Sequence, residues 1–259
     1  MQTQTIIDEY QNGAGTNELA QKYSMHRSTI QRILKRNNIL LRKRTPTHKY
    51  DVNFFAEYNR DSCYWAGFIL ADGCIRSDRD SVSIKLSSVD DTHLLKFTRC
   101  INYTGKVHYS HDGSYCYVDV CGKWFKHDLK QQFGILPCKT KTTKIYDQIP
   151  LTYYPDFIRG IIDGDGSITY YRSANDKKPT LRILGTEMLL KQISEYFRTR
   201  NVTMRTKTEM PAIVKCAGVY SICYSMNNTY KILTDIIYKH HPNCIYLSRK
   251  FNTWKSLRR

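Results

Sequence analysis

One pattern of hydrophobic and polar positions occurs twice along the chain. Residues 64–73, YWAGFILADG, are matched by residues 157–166, FIRGIIDGDG. Each segment predicts a helix that ends at an aspartate followed by a glycine. The two aspartates, Asp72 and Asp165, are 165 − 72 = 93 positions apart. That spacing indicates two structural repeats, which we place at residues 53–150 and 151–259.

Strand-like alternation follows each of these segments. Val82, Ile84 and Leu86 alternate with polar residues in the first repeat, and Leu181 and Ile183 do so in the second. A helix, a second strand pair and a closing helix are then predicted in each half. Apolar residues at helical spacing mark these helices: Leu94, Phe97, Ile101, Phe125, Leu129 and Phe133, then Leu189, Ile193, Phe197, Tyr230, Leu233 and Ile237. Each half predicts the order αββαββα, so the fold class is α+β with two antiparallel sheets.

The first 41 residues predict a separate all-α module. Helices at residues 4–11 and 16–23 are separated by glycines, and a third begins after a turn at residues 24–26. This arrangement is similar to a helix-turn-helix, whose second helix lies in the DNA major groove. A basic helical bundle that contacts no bases is the alternative. The outward positions of the third helix are the DNA-contact candidates: Arg27, Ser28, Gln31, Arg32, Lys35 and Arg36. Residues 42–52 predict an extended basic linker.

Small residues recur four positions apart in both repeated segments. These are Gly67 with Ala71 in the first and Gly160 with Gly164 in the second. Small side chains allow two helix backbones to approach closely. We therefore expect the two motif helices to pack against each other at these four positions.

The charge of the chain points to a polyanionic partner. The sequence has 40 Lys and Arg against 23 Asp and Glu, a net charge of +17, within 259 residues. Such an excess favours nucleic acid. No apolar run of about 18 residues predicts a membrane span, and the N-terminus lacks the pattern of a secretory signal. We expect an intracellular protein that stays with its DNA, in a bacterial or phage-infected cell or an organelle, with no membrane partner.

The nine cysteines are scattered, without the paired spacing of a zinc site or of a disulfide framework. Cys116 and Cys223 lie at apolar positions of predicted strands. We interpret the cysteines as free thiols that pack as small apolar side chains.

The two ten-residue segments, with their downstream patterns, resemble the paired motifs of the LAGLIDADG homing endonucleases. The resemblance covers about residues 50–255. It implies that the motif helices pack at a pseudo-two-fold axis and that the two sheets form a saddle over double-stranded DNA. It also implies a monomeric endonuclease that cuts both strands at a long site.

By the same resemblance, Asp72 and Asp165 are the metal ligands and catalytic acids. Two carboxylates at the negative ends of helix dipoles repel each other unless cations intervene. Hard oxygen ligands suit Mg²⁺, for which Mn²⁺ is a substitute. The resemblance adds the backbone carbonyls of Ala71 and Gly164 to the metal shell. We further expect the glycines that follow the two aspartates to form left-handed helix caps.

The first segment departs from the usual motif of the family. Leu70 stands where an acid is common, whereas the second segment keeps Asp163 there. The metal ligand is the later acid, so we expect activity to be retained. Equal and unequal cleavage of the two strands both stay open.

A basic residue after the last helix of each half is also implied. Alignment of residues 137–145 with 243–251 pairs Lys144 with Lys250, which we predict to be catalytic. Lys141 and Arg249 are rivals, and contact with a DNA phosphate is the alternative role.

Polar residues on the sheet faces are the remaining DNA-contact candidates: Ser83, Lys85, Ser87, Arg182, Arg205 and Lys207. Two other functions fit the same fold. One is a maturase that binds intron RNA, and the other is a DNA-binding regulator without catalysis. The presence of both aspartates favours the endonuclease over either of them.

Overall fold

The computed structural model describes residues 2–41, 48–138, 142–173, 176–202 and 211–257, and the side chains of residues 171–177 lie outside that description. The chain divides into two compact units, Met1–Thr47 and His48–Arg259. The predicted linker at residues 42–52 falls largely on residues outside the description.

The first unit has three helices around a small core of its own. The buried residues are Ile6, Ile7, Tyr10, Leu19, Ile30 and Leu34. The third helix begins where the imidazole of His26 accepts a hydrogen bond from the backbone N–H of Ser28. Its predicted DNA-contact side chains are exposed except Gln31, which is half-buried. The helices are α1 (Gln2–Gln11), α2 (Thr16–Lys22) and α3 (Arg27–Arg36).

The second unit contains the two αββαββα repeats, so the predicted fold is confirmed. The first repeat consists of α4 (Arg60–Asp72), β1 (Gly73–Ile75), β2 (Ser81–Ser87), α5 (Asp91–Cys100), β3 (His108–Tyr109), β4 (Tyr115–Cys121) and α6 (Lys123–Phe133). The second consists of α7 (Tyr154–Asp165), β5 (Gly166–Ser173), β6 (Asp176–Gly185), α8 (Glu187–Arg198), β7 (Ile213–Cys216), β8 (Val219–Ser225) and α9 (Asn227–Lys231), which continues as a π-helical turn over Ile232–Ile237. A further helix, α10 (Ser248–Leu257), was not predicted.

The two sheets have the same topology. Their strand orders are β1-β2-β4-β3 and β5-β6-β8-β7, and every pairing is antiparallel. Val82, Ile84 and Leu86 are buried in the first sheet, and Leu181 and Ile183 in the second. The opposite face of each sheet carries the polar residues, as the alternation predicted.

Two glycines allow α4 and α7 to touch along their backbones. A Cβ at Gly67 would overlap the carbonyl oxygen of Phe157, and a Cβ at Gly160 would overlap that of Tyr64 and lie 2.6 Å from the backbone nitrogen of Phe68. These obstacles are backbone atoms, which cannot rotate away. The predicted close packing of the motif helices is therefore present at both glycines.

Two expectations from the sequence were wrong. Gly73 and Gly166 do not form left-handed caps, because the chain passes straight from helix into strand there, with φ/ψ of −80°/157° and −87°/163°. Their lack of a side chain is still required, since a Cβ at Gly166 would lie 2.5 Å from the carbonyl oxygen of Ile162. Cys116 is buried as predicted, but Cys223 is exposed because it lies on the polar face of β8.

Within the described residues, no helix is both long and apolar enough to cross a bilayer.

The helix contact makes a prediction about stability. Gly67→Ala should lower the free energy of unfolding of the second unit by about 1–3 kcal/mol, because the added methyl must push two helix backbones apart. Chemical denaturation followed by circular dichroism measures this loss. Gly185→Ala is the matched control, since its Cβ would meet only side-chain carbons of Leu189 and Leu190, the nearest at 2.9 Å. Equal losses in the two variants would contradict the helix-contact explanation.

Candidate active site at the paired helix ends

Asp72 and Asp165 are the last residues of α4 and α7, and both are exposed. The two helix ends are in contact: a Cβ at Gly164 would overlap the Cβ of Ala71 and lie 3.4 Å from the backbone nitrogen of Asp72. A cavity of about 210 Å³ opens beside them and is lined by Ala71, Asp165 and Leu70, among others. The structure thus brings the two predicted acids to neighbouring helix ends.

Lys250 is the basic residue most tightly bound at these ends. It lies in α10 and is 7% exposed. Its ammonium donates to the carbonyl oxygens of Ile162 at 2.9 Å, Asp163 at 2.6 Å, Gly164 at 3.0 Å and Gly166 at 2.6 Å. Carbonyls at a helix C-terminus lack partners within the helix, and a cation there also complements the helix dipole. Lys250 therefore caps the end of α7.

The charge of Lys250 is balanced by carboxylates. Burial lowers the pKa of Lys250, and the negative charges of Asp163, Asp72 and Asp165 oppose that shift. Both candidate metal ligands thus act on the same ammonium. This coupling connects Lys250 to the two acids electrostatically.

Asp163 links the two repeats to the C-terminal segment. Its carboxylate is buried, and Oδ2 accepts hydrogen bonds from the hydroxyl of Tyr64 at 2.7 Å and from the backbone N–H of Leu247 at 2.7 Å. Burial raises the pKa of Asp163, while the charge of Lys250 and these two hydrogen bonds oppose the shift. Leu70, at the matching position of the first repeat, supplies no such acceptor.

His93 extends this buried network. Its Nε2 lies 2.9 Å from the hydroxyl of Tyr64, and its side chain is 1% exposed. Burial lowers the pKa of His93 to about 3, aided by the charges of Lys96 and Lys250. His93 is therefore neutral near pH 7.

The segment around α10 is also tied to the first repeat. Arg249 donates to the carboxylate of Asp90, with a shortest distance of 2.8 Å, and Asp90 is almost fully buried. Lys96 donates to the carbonyl of Tyr246 at 2.8 Å and contacts Ser248 at 3.0 Å. Arg249 is thus engaged in an ion pair, which leaves Lys250 as the basic residue of α10 directed at the end of α7.

Lys144 has a different environment from Lys250. It is 48% exposed and lies 3.5 Å from Asp147 in an ion pair. It lines a cavity of about 540 Å³ that shares Thr143 with the cavity beside Asp165. The two predicted catalytic lysines are therefore not equivalent, and Lys141 lies outside the described residues.

The donor set suits a hard divalent cation. Asp72 and Asp165 supply carboxylate oxygens, and backbone carbonyls lie beside them. In the described part of the chain, no three His, Cys, Asp or Glu side chains form a group that could hold a metal alone. A metal at these helix ends would need carbonyl, water or phosphate oxygens as well.

The sheet-face candidates are placed as predicted where the structure describes them. Lys85, Ser87 and Arg182 are exposed and Ser83 is half-buried. Arg205 and Lys207 lie outside the described residues.

Sequence patterns missed the partners of Asp163. Tyr64 is 99 positions from it and Leu247 is 84 positions away. The one sequence feature that set Asp163 apart was that the first motif has Leu70, not an acid, at the matching position.

No protein-family model matches the chain, and no curated protein matches it. Similar solved structures include the I-LtrWI LAGLIDADG homing endonuclease bound to target DNA, with 9% identity over 80% of this chain and 90% of that chain and a TM-score of 0.49. Meganuclease I-SmaMI bound to uncleaveable DNA has 11% identity over 74% and 88%, with a TM-score of 0.48. LAGLIDADG homing endonuclease I-GzeII in complex with a DNA target has 13% identity over 78% and 90%, with a TM-score of 0.47.

The buried imidazole predicts how stability changes with pH. The pKa of His93 in the folded chain, about 3, is below the ordinary 6.5. Between those values only the unfolded chain binds the proton, so this group lowers stability by at most about 1.4 kcal/mol per unit as pH falls below 6.5. His93→Gln should remove that contribution, and urea unfolding between pH 7 and pH 4 measures it.

Comparing the wild type with His93→Gln isolates the contribution of His93 from those of other titrating groups. The raised pKa of Asp163 acts with the opposite sign, and it is present in both proteins. His111→Gln, at an exposed position, is the control. A constant difference in unfolding free energy between the wild type and His93→Gln across this range would refute the assignment.

Proposed function

We propose that the chain is a site-specific DNA endonuclease of the LAGLIDADG homing type. It would hydrolyse both strands of a long double-stranded site as a monomer with internal pseudo-two-fold symmetry. The observation that carries the proposal is the juxtaposition of Asp72 and Asp165 at the touching ends of α4 and α7. Two repeats that present equivalent acids suit a substrate with two antiparallel strands.

The proposed metal is Mg²⁺, with Mn²⁺ as a substitute. Asp72 and Asp165 would hold it with the carbonyl oxygens of Ala71 and Gly164 and with DNA phosphate oxygens. The Gly164 carbonyl already accepts a hydrogen bond from Lys250, so this ammonium would lie beside the metal. A divalent ion held there would lower the pKa of a water and would offset charge on the phosphodiester.

The surrounding residues bind and orient the substrate. A net charge of +17 attracts the DNA backbone, and the polar sheet faces contact its grooves. Lys250 fixes the end of α7, so Asp165 is held on a rigid support. Lys144 is exposed and can move from Asp147 to a DNA phosphate or to the reacting oxygen. The basic outer face of α3 adds a further contact as a helix-turn-helix.

Cleavage of a plasmid library is the direct test. Purified protein with Mg²⁺ should linearise plasmids at one long motif, and EDTA should abolish that cutting. Tight binding without cutting would favour a regulator. Preference for structured intron RNA over DNA would favour a maturase.

Substitution of either aspartate is the most direct test of the proposed metal ligands. Asp72→Asn or Asp165→Asn should abolish double-strand cutting while DNA binding persists, because each change removes a metal ligand and leaves the basic surfaces intact. Gel analysis of supercoiled, nicked and linear plasmid measures the effect, and Asp235→Asn, at an exposed position, is the control. Normal cutting by either active-site variant would refute the site.

Substitutions of Lys250 and Lys144 should differ in their effect on the stability of the fold. Lys250→Met should lower both the cleavage rate and the free energy of unfolding, because the carbonyls at the end of α7 lose their donor. Lys144→Met should lower the cleavage rate and leave unfolding unchanged, since Lys144 is half exposed. Cleavage kinetics and thermal unfolding distinguish them. Wild-type cleavage by Lys144→Met would show that this lysine is only a surface residue.

A further inference from the structure

The strand register makes the polar faces of the two sheets directly comparable. Both sheets begin immediately after a candidate metal ligand, at Gly73 and Gly166. Gly73 pairs with Ile84, and Gly166 pairs with Ile183, so these two pairs are equivalent. Every other residue of the sheets can be matched by counting from them.

A row here is the set of residues paired side by side across neighbouring strands. The row next to these glycines carries opposite charges in the two sheets. In the first sheet the row runs from Cys74 through Ser83 to Asp119. In the second sheet it runs from Ser167 through Arg182 to Cys223. The first row contains one acid, Asp119, and the second contains one base, Arg182. The equivalent of Arg182 is therefore Ser83.

Arg182 is exposed on an interior strand. It lies on β6, between β5 and β8, and its neighbours across the sheet, Ser167 and Cys223, are short. Within the described part of the chain, no hydrogen bond or ion pair engages its guanidinium. The side chain can therefore extend straight out from the sheet.

Lys85, a cation on the polar face of the first sheet, is held differently. The ammonium of Lys85 lies 3.4 Å from the ring centroid of Tyr115, in a cation–π contact. Lys85 pairs with Tyr117 and is two residues from Ser83 along β2, on the other side of the Gly73–Ile84 pair. Its place in the second sheet is taken by Leu184, which pairs with Ser221. Lys85 and Arg182 therefore each have an uncharged residue at the equivalent position of the other sheet.

We propose that Arg182 determines specificity by recognising a guanine in the half of the target that lies under the second sheet, with no matching requirement in the other half. This inference rests on the proposed function. Strands in a major groove present their interior residues to base edges, whereas phosphates line the groove walls. The planar guanidinium matches O6 and N7 of guanine, and such a pair discriminates against other bases by roughly 5- to 150-fold.

The position of this guanine is constrained by the chain. Ser167 is two residues beyond Asp165, and Arg182 lies directly across from it. With a rise of about 3.3 Å per strand residue and about 3.4 Å per base pair, these two residues correspond to about two base pairs, so the guanine lies close to the scissile phosphate. The target is therefore asymmetric close to the cut.

The experiment is a binding selection from a randomised DNA library, using the whole chain in EDTA so that no DNA is cut. The wild type should select one strongly preferred guanine in one half of its motif. Arg182→Lys should lose that preference by at least about 5-fold while keeping its affinity for unselected DNA, because lysine keeps the charge and loses the planar fork. Arg99→Lys, at an exposed position on α5, is the control.

A transplant tests the equivalence of the rows. Ser83→Arg combined with Asp119→Cys reproduces the arginine and cysteine of the second row without leaving an acid beside the new arginine. This variant should select an additional guanine at the symmetry-related position of the other half. Circular dichroism verifies that it folds.

The outcomes separate the inference from the function on which it rests. A defined motif that Arg182→Lys leaves unchanged at every position overturns the role of Arg182 and leaves the endonuclease proposal standing. Failure of the wild type to bind DNA with any motif overturns both. Loss of the guanine in Arg182→Lys with its gain in the double variant supports the inference.

Discussion

The backbone contact between α4 and α7 is the constraint on which the rest of the second unit depends. It exists because Gly67 and Gly160 carry no side chain where the helices meet, so carbonyl oxygens of each helix occupy the space a Cβ would need. Helices held this closely must also bring their ends together. Asp72 and Asp165 are the last residues of those helices, and the sheets start at the very next residue. One packing contact therefore determines both where the two carboxylates lie and where the first strand of each sheet begins.

Bringing two carboxylates to the negative ends of two helices costs electrostatic energy, and Lys250 offsets part of that cost at the end of α7. Lys250 inserts a buried ammonium among the terminal carbonyls of α7, and Asp163 beneath it orients Leu247 at the start of the α10 segment. The ammonium, the buried carboxylate and the helix dipole are mutually stabilising, because removal of any one leaves the others uncompensated. Leu70 in place of an acid means that the first repeat cannot build the same arrangement.

The repeat architecture and the two acids could be predicted from the sequence because both depend on local patterns. Alternation at residues 81–87 identifies β2, and the small residues in the motifs identify the helix contact. Lys250 was found only by alignment, and its capping of α7 could not be foreseen, because α10 reaches that helix across more than 80 positions. The hydrogen bond of Tyr64 to Asp163 is equally non-local. Gly73 and Gly166 were given the wrong backbone conformation because glycine after a helix is compatible both with a cap and with a direct turn into a strand.

The pseudo-symmetry of the fold and the asymmetry of its side chains answer different requirements. Under the proposed function, two chemically equivalent strands are hydrolysed, so equivalent aspartates must occupy equivalent positions, and the backbone supplies them through one repeated design. Base sequence has no such symmetry, so the residues that face the bases are free to differ between repeats. The rows containing Ser83 and Arg182 differ in charge although their backbones are paired in the same register. A single chain with two repeats can therefore keep symmetric chemistry while it recognises an asymmetric site, which a dimer of identical subunits could not do.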